Sequence, residues 1–196
     1  MRPQHPPSHF LIRRRGFIAA AGMLSLSACV PGRELPELQQ VATGPYKLGP
    51  GDQLRLITFN EPELTGQFSV ADTGLVALPL VGNIRAQGLT ETGLSMAISD
   101  ALKAKGLLKD PSVSVQVTNF RPVYVLGEVA KPGQFPFEPG MTVLTLVAVA
   151  GGYTYRAVTD HASVLRTSKG VPVEARATPD RRLQPGDVVT IYERLF

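Results

Sequence analysis

Twice the chain sets Pro-Gly-Asp directly before an apolar run: Pro50-Gly51-Asp52 ahead of Gln53–Phe59, and Pro185-Gly186-Asp187 ahead of Val188–Glu193. The pattern has a definite geometric content. Proline presets φ at the first central position of a type II turn, glycine accepts the positive φ at the second, and aspartate can take hydrogen bonds from nearby backbone N–H groups. Two strands are thus expected to start from fixed turns, one early and one near the end of the chain. A looser version, Glu138-Pro139-Gly140-Met141, lies between them. The spacing is too irregular for a solenoid repeat.

Between these turns the apolar residues change period. Leu54, Leu56 and Phe59 are expected to make the first short strand, and residues 67–87 a hairpin turning at Asp72-Thr73-Gly74. From Thr90 to Lys105 the period becomes helical. Leu94, Ala97, Ile98, Ala101 and Leu102 recur on one face, Lys103 and Lys105 suit the C-terminal dipole, and Gly106 can end the helix. Residues 112–118 (SVSVQVT) alternate strictly, which puts Val113, Val115 and Val117 on one buried face. A second group begins at Arg121-Pro122. It reads as a strand over 123–129, a turn at Lys131-Pro132-Gly133, a short return over 134–137, and an apolar helix over 143–150 capped by Thr142 and ended by Gly151-Gly152. Strands near 162–166, 171–175 and 188–192 follow. Strands wrapped around one short helix suggest a β-grasp-like arrangement. The expected fold class is α+β, in two small mixed units at 46–119 and 121–193.

The 196 residues carry 20 Lys+Arg against 16 Asp+Glu, a formal +4. This excess is not a nucleic-acid signature. Arg2, Arg13, Arg14 and Arg15 lie before residue 29, where there is no acid, and removing those four leaves equal numbers of basic and acidic residues. Behind them runs the uncharged Gly16–Ala28, too short to span a bilayer. A basic start, a short apolar stretch and small residues at its end describe a secretory signal over 1–28. Leu26-Ser27-Ala28-Cys29 resembles the bacterial lipobox, in which the cysteine thiol receives a diacylglycerol and becomes the new N-terminus. An ordinary signal peptide cut near Ala28, with a bystander cysteine, is the alternative. Arg14-Arg15-Gly16-Phe17-Ile18 fits either a twin-arginine export signal or a generic basic start. A lipid on Cys29 would anchor the protein rather than make it span the membrane. Residues 29–45, rich in proline, read as a tether.

Across 46–196 the chain resembles the bacterial outer-membrane polysaccharide (capsule and exopolysaccharide) export proteins. The likeness rests on the order and spacing of YKLGPGDQL, PELTGQFSV, GLVALPLVGNI, GLT, DPSVSVQV, RPVYVLGEVAKPGQFPF and PGMTVL…AGGYTYRA. It implies an export domain over 46–119 and a soluble-ligand-binding β-grasp (SLBB) domain over 121–193. It further implies a lipoprotein that assembles into a homo-oligomeric ring, faces the periplasm from the outer membrane, and conducts polysaccharide outward. The implied partners are the exported polysaccharide, an inner-membrane copolymerase of the tyrosine-kinase type, and membrane lipid through acylated Cys29. Val30, in place of Asp after that cysteine, is compatible with sorting to the outer membrane. Two departures stand out. Well-studied relatives end in an amphipathic pore-forming helix, whereas this sequence stops at YERLF after its last strand, and many carry a further β-grasp domain that this sequence lacks, so the crossing could rely on lipid anchoring plus a separate outer-membrane barrel. Gly93 also stands where the family has glutamate, which would weaken a helix cap.

Candidate contacts follow. Pro62-Glu63-Leu64 matches a family signature and could face the lumen or a neighbouring subunit, or simply form a turn. Tyr153, Tyr155 and Arg156 could contact glycan by stacking and hydrogen bonding, or could finish the helix and pack between domains. Glu128 reads as an exposed turn residue. No metal, cofactor or catalytic site is expected. Cys29 is the single cysteine, His161 the one histidine beyond the leader, and Asp160-His161, as sequence neighbours, are not expected to address each other. The acids fall mainly in turn positions (Asp52, Asp72, Asp110, Asp187), unlike a glycosidase pair facing across a cleft. A monomeric glycan- or ligand-binding periplasmic lipoprotein is the alternative to the conduit.

Overall fold

The computed structural model describes residues 31–39, 44–168 and 170–194. The expected signal peptide and Cys29 lie outside them. The fold is α+β, with two separate cores in two small mixed units.

In the first unit, β1 (Gln53–Thr58) is the centre of a three-stranded antiparallel sheet, between β2 (Gly66–Ser69) and β5 (Val113–Asn119). Side chains alternate along β1, so Leu54, Leu56 and Thr58 point inward and Ile57 points out. Phe59 therefore does not join the apolar face as expected. It has the wrong parity, lies past the strand end, and is 71% exposed. The expected hairpin over 67–87 is also redrawn. The turn at 72–74 forms, with Gly74 N–H on the Ala71 carbonyl, but its two flanks enter different sheets. β2 pairs with β1, while β3 (Leu75–Leu78) pairs with β4 (Gly82–Arg85) around Pro79-Leu80-Val81. The reason is burial: β1 needs a partner on each edge, and β2 supplies the second.

Helix α1 (Glu91–Ala104) lies against β5 and buries Leu94, Ile98 and Leu102. Thr90 caps it, its hydroxyl accepting from Gly93 N–H at 3.0 Å. Gly93 thus keeps half of a capping box without a glutamate side chain. Glu91 turns instead to accept from Val117 N–H at 2.6 Å, tying helix to sheet.

The second unit is a five-stranded mixed sheet of β6 (Val123–Gly127), β7 (Gly133–Phe135), β8 (Ala162–Ser168), β9 (Val171–Ala177) and β10 (Val188–Ile191), in the order β7-β6-β10-β8-β9. β6 and β10 are parallel and every other pair is antiparallel. A parallel pair needs a long crossover. That crossover contains α2 (Val143–Val149), whose Val143, Leu146 and Val147 share a core with Val125, Val164 and Val189. Thr142 and Thr145 form a full capping box at its start. One helix held by a mixed sheet is β-grasp-like.

Residues 31–39 fall within the segment expected to be a tether, yet they are seated on the second unit. Glu37 bridges Arg176 of β9 in parallel fashion, with Leu38 N–H on the Arg176 carbonyl (2.7 Å) and Arg176 N–H on the Pro36 carbonyl (2.8 Å). Leu38 enters the core, and Arg181 pairs with Glu37. Backbone pairing and one buried leucine explain the docking. Proline content alone could not reveal it.

Candidate functional site

The two Pro-Gly-Asp turns are built alike. Asp52 and Asp187 are both fully buried. Each accepts at Oδ2 from the backbone N–H three residues earlier, Gly49 at 2.8 Å and Gln184 at 2.7 Å. In both turns the aspartate's own N–H returns to the carbonyl of that residue. Gly51 and Gly186 have φ of 91°, as the second position of a type II turn demands.

Each buried carboxylate also holds an arginine, which the sequence pattern did not disclose. Arg166 from β8 reaches Asp187 through Nε (2.9 Å) and Nη2 (2.6 Å), a two-point grip inside the second unit. Arg121 lies 3.3 Å from Asp52 through Nε and donates its backbone N–H to Oδ1 at 3.2 Å. Arg121 opens the second unit, so Asp52 joins the two. Tyr46 completes the joint: its hydroxyl donates to Asp52 (2.7 Å) and accepts from Arg121 Nη2 (3.2 Å). Burial, reinforced by the bond to Asp52, pushes the Tyr46 hydroxyl well above the ordinary tyrosine range. Tyr46, Phe120 and Phe137 then run edge-to-face across the junction, with centroids 5.0 and 5.7 Å apart.

Pro62–Leu64 forms a single 3-10 turn. Leu64 is buried in the first core, while Pro62 and Glu63 are exposed. The trio therefore divides into one packing residue and a two-residue exposed tip. Thr65 pins the turn by donating its hydroxyl to the Glu61 carbonyl at 3.0 Å.

Tyr153, Tyr155 and Arg156 differ in exposure and in partners. Tyr153 bridges Val129 and packs against the second core, and burial raises its hydroxyl pKa. Tyr155 is 86% exposed. Arg156 pairs with Glu193. Glu128 is half-buried rather than an exposed turn residue, because it accepts from the Thr154 hydroxyl.

Asp160 and His161 do face each other, against expectation. Nδ1 is 2.8 Å from Oδ1, and the ring, with Arg33 assisting, holds the Asp160 carboxyl below its usual range. Nε2 lies 2.8 Å from the Pro31 carbonyl. Both ring nitrogens thus have oxygen partners. The imidazole fastens the docked N-terminal segment and has no ring nitrogen left to serve a nucleophile. Among the described residues no three His, Cys, Asp or Glu side chains cluster to hold a metal ion, and no helix is long and apolar enough to cross a membrane.

A model described as polysaccharide biosynthesis/export protein matches residues 40–118, and the SLBB domain model matches 122–177, in the order the two cores occupy. The chain belongs to the polysaccharide biosynthesis/export family. Its second unit is the SLBB domain. Among curated relatives, the exopolysaccharide production protein ExoF of Rhizobium meliloti (strain 1021) is 35% identical over 118 residues, 55% of this chain and 28% of the relative. The EPS I polysaccharide export outer membrane protein EpsA of Ralstonia nicotianae is 30% identical over 186 residues, 76% of this chain and 48% of the relative. EpsA of Ralstonia solanacearum is 28% identical over 152 residues. The chain spans less than half the length of each of these relatives.

Proposed function

We propose that this chain works in exopolysaccharide export as a lipid-anchored outer-membrane component facing the periplasm, where copies close into a ring that conducts the polymer. It makes no covalent change in its cargo. One observation carries the reading: an export unit followed directly by an SLBB unit, in the order of a family whose relatives are named for exopolysaccharide production and export. The Asp52–Arg121–Tyr46 joint supports it, because subunits of a conduit must hold their two domains at a fixed angle for a ring to close.

Acylated Cys29 ties the ring to membrane lipid. An inner-membrane copolymerase of the tyrosine-kinase type delivers the polymer, and the ring receives it on the periplasmic side. The exposed tip at Pro62-Glu63 meets the lumen or a neighbouring subunit. Passage favours weak, polar contacts, since tight sites would stall a moving chain.

Deleting the gene tests the reading, with polymer trapped in the periplasm expected. Normal secretion in the deletion strain would refute it. The mass of the detergent-solubilised protein tests the ring: a stable monomer at working concentration would favour a monomeric glycan-binding lipoprotein instead.

A further inference from the structure

At the junction of the two units, the end of β5 and the edge strand β7 flank a half-open pocket of about 320 Å³. Phe120, Phe135, Phe137 and Pro136 supply apolar surface, and Asn119 and Gln134 supply amides. We infer that this pocket is a subsite for an uncharged sugar ring of the exported glycan. The inference rests on the export reading above and gives the cargo a place on the chain.

The lining matches the chemistry of a pyranose, which presents an apolar C–H face and a rim of hydroxyls that both donate and accept. Aromatic rings suit the first. Amide side chains suit the second, each carrying a carbonyl acceptor and an NH₂ donor. The rings are held in place before any ligand arrives, because Phe120 is fixed edge-to-face between Tyr46 and Phe137. The amides are available. Asn119 spends one N–H on Gln53 Oε1 (2.7 Å), its carbonyl oxygen has no partner among the described residues, and the Gln134 side chain makes no hydrogen bond among them. Small-molecule sites favour this setting: a domain interface, a mostly apolar lining and a few polar groups, in volumes from about 300 Å³ upward.

The charge pattern narrows the class. No acidic or basic side chain lines the pocket, so a uronate or phosphorylated sugar would lose hydration there without gaining a counter-charge. The size argues against a second copy of the chain as occupant, since a stable protein interface buries roughly 800 Å² on each partner.

Saturation-transfer NMR on the full-length chain in detergent tests the site, with an uncharged β-linked glucose tetrasaccharide and tetragalacturonate as probes. Transfer to the glucose tetrasaccharide is expected, strongest at ring C–H protons, with little to tetragalacturonate. Gln134→Ala should weaken binding roughly fivefold, the equivalent of one hydrogen bond, with an unchanged melting temperature. Phe137→Ala should abolish transfer, and far-UV circular dichroism confirms that the variant is folded. Absent transfer, equal transfer to both probes, or undiminished binding in Gln134→Ala would overturn the inference. So would a change of assembly state in Gln134→Ala with sugar binding intact, which would assign the surface to a neighbouring copy. Blocked secretion in the deletion strain without sugar binding sinks the pocket alone. Normal secretion there sinks the export reading, and with it the identity of the ligand as cargo.

Discussion

Replacing Asp52 by alanine should separate the two units as well as weaken one of them. Its carboxylate accepts from Gly49 N–H, the Tyr46 hydroxyl and the backbone of Arg121, and it pairs with the Arg121 guanidinium. Gly49 is buried, so its N–H would be left without any partner, at about 1–3 kcal/mol. Tyr46 and Arg121 are partly exposed, Arg121 by 30%, and water can replace part of what they lose, adding about 1 kcal/mol between them. The total of about 3 kcal/mol is a large part of the roughly 5–15 kcal/mol that stabilises a typical domain. Asp52→Asn keeps an oxygen for Gly49 and Tyr46 but loses the charge and turns an NH₂ donor toward the N–H groups of Arg121, so about 1–2 kcal/mol is expected. Urea unfolding followed by far-UV circular dichroism measures both. The wild type should unfold in one transition and Asp52→Ala in two, the first unit leaving earlier. In a double-mutant cycle, Asp52 and Arg121 should couple by about 1 kcal/mol. A loss under 1 kcal/mol, an asparagine variant as damaged as alanine, or zero coupling would each refute the idea that this carboxylate joins the domains.

Further outcomes test other parts of the structure. The Tyr46 hydroxyl is held neutral by burial and its bond to Asp52, and a raised pKa in the folded state means stability that is intact below pH 10.0 and declines as pH climbs above it. Melting curves from pH 8 to 11 should therefore fall more steeply for the wild type than for Tyr46→Phe, and parallel curves would contradict the burial argument. At Gly127, φ is +83° and a Cβ would meet the Ile191 carbonyl oxygen at 2.0 Å, so Gly127→Ala must pry β6 from β10. A loss of at least about 2 kcal/mol is expected by denaturant unfolding, and a neutral result would mean the parallel pair is misdrawn. Cys29→Ser should abolish metabolic labelling with palmitate, and undiminished labelling would rule out the anchor.

Much of the fold was legible because it rests on short-range rules. The helix over 90–105, the strictly alternating β5 and the capped α2 follow from periodicity and capping, and the Pro-Gly-Asp turns from the φ values that proline and glycine allow. The failures have two causes, long-range pairing and strand parity. The turn at 72–74 formed, but no local rule says which edge of β1 its flank will join. Phe59 is apolar yet faces water, because alternation is counted from buried Leu54 and Leu56 and leaves odd positions outside. Asp160 and His161 turned toward each other because Pro31, distant in sequence, takes up the other ring nitrogen.

The sequence by itself determined that this chain has two mixed α+β units, each with a strand opening from a proline-glycine turn, and which family it belongs to. Both follow from contacts within a few residues and from the order of motifs. Only the tertiary structure decided that Asp52 and Asp187 each hold an arginine, that residues 31–39 lie down on β9, and that Phe120, Phe135 and Phe137 meet two amides in one pocket. Those pairings join residues far apart in sequence, such as Arg33 and Arg176, 143 positions apart. They arise from packing whole units against each other, and no window of neighbouring residues contains that information.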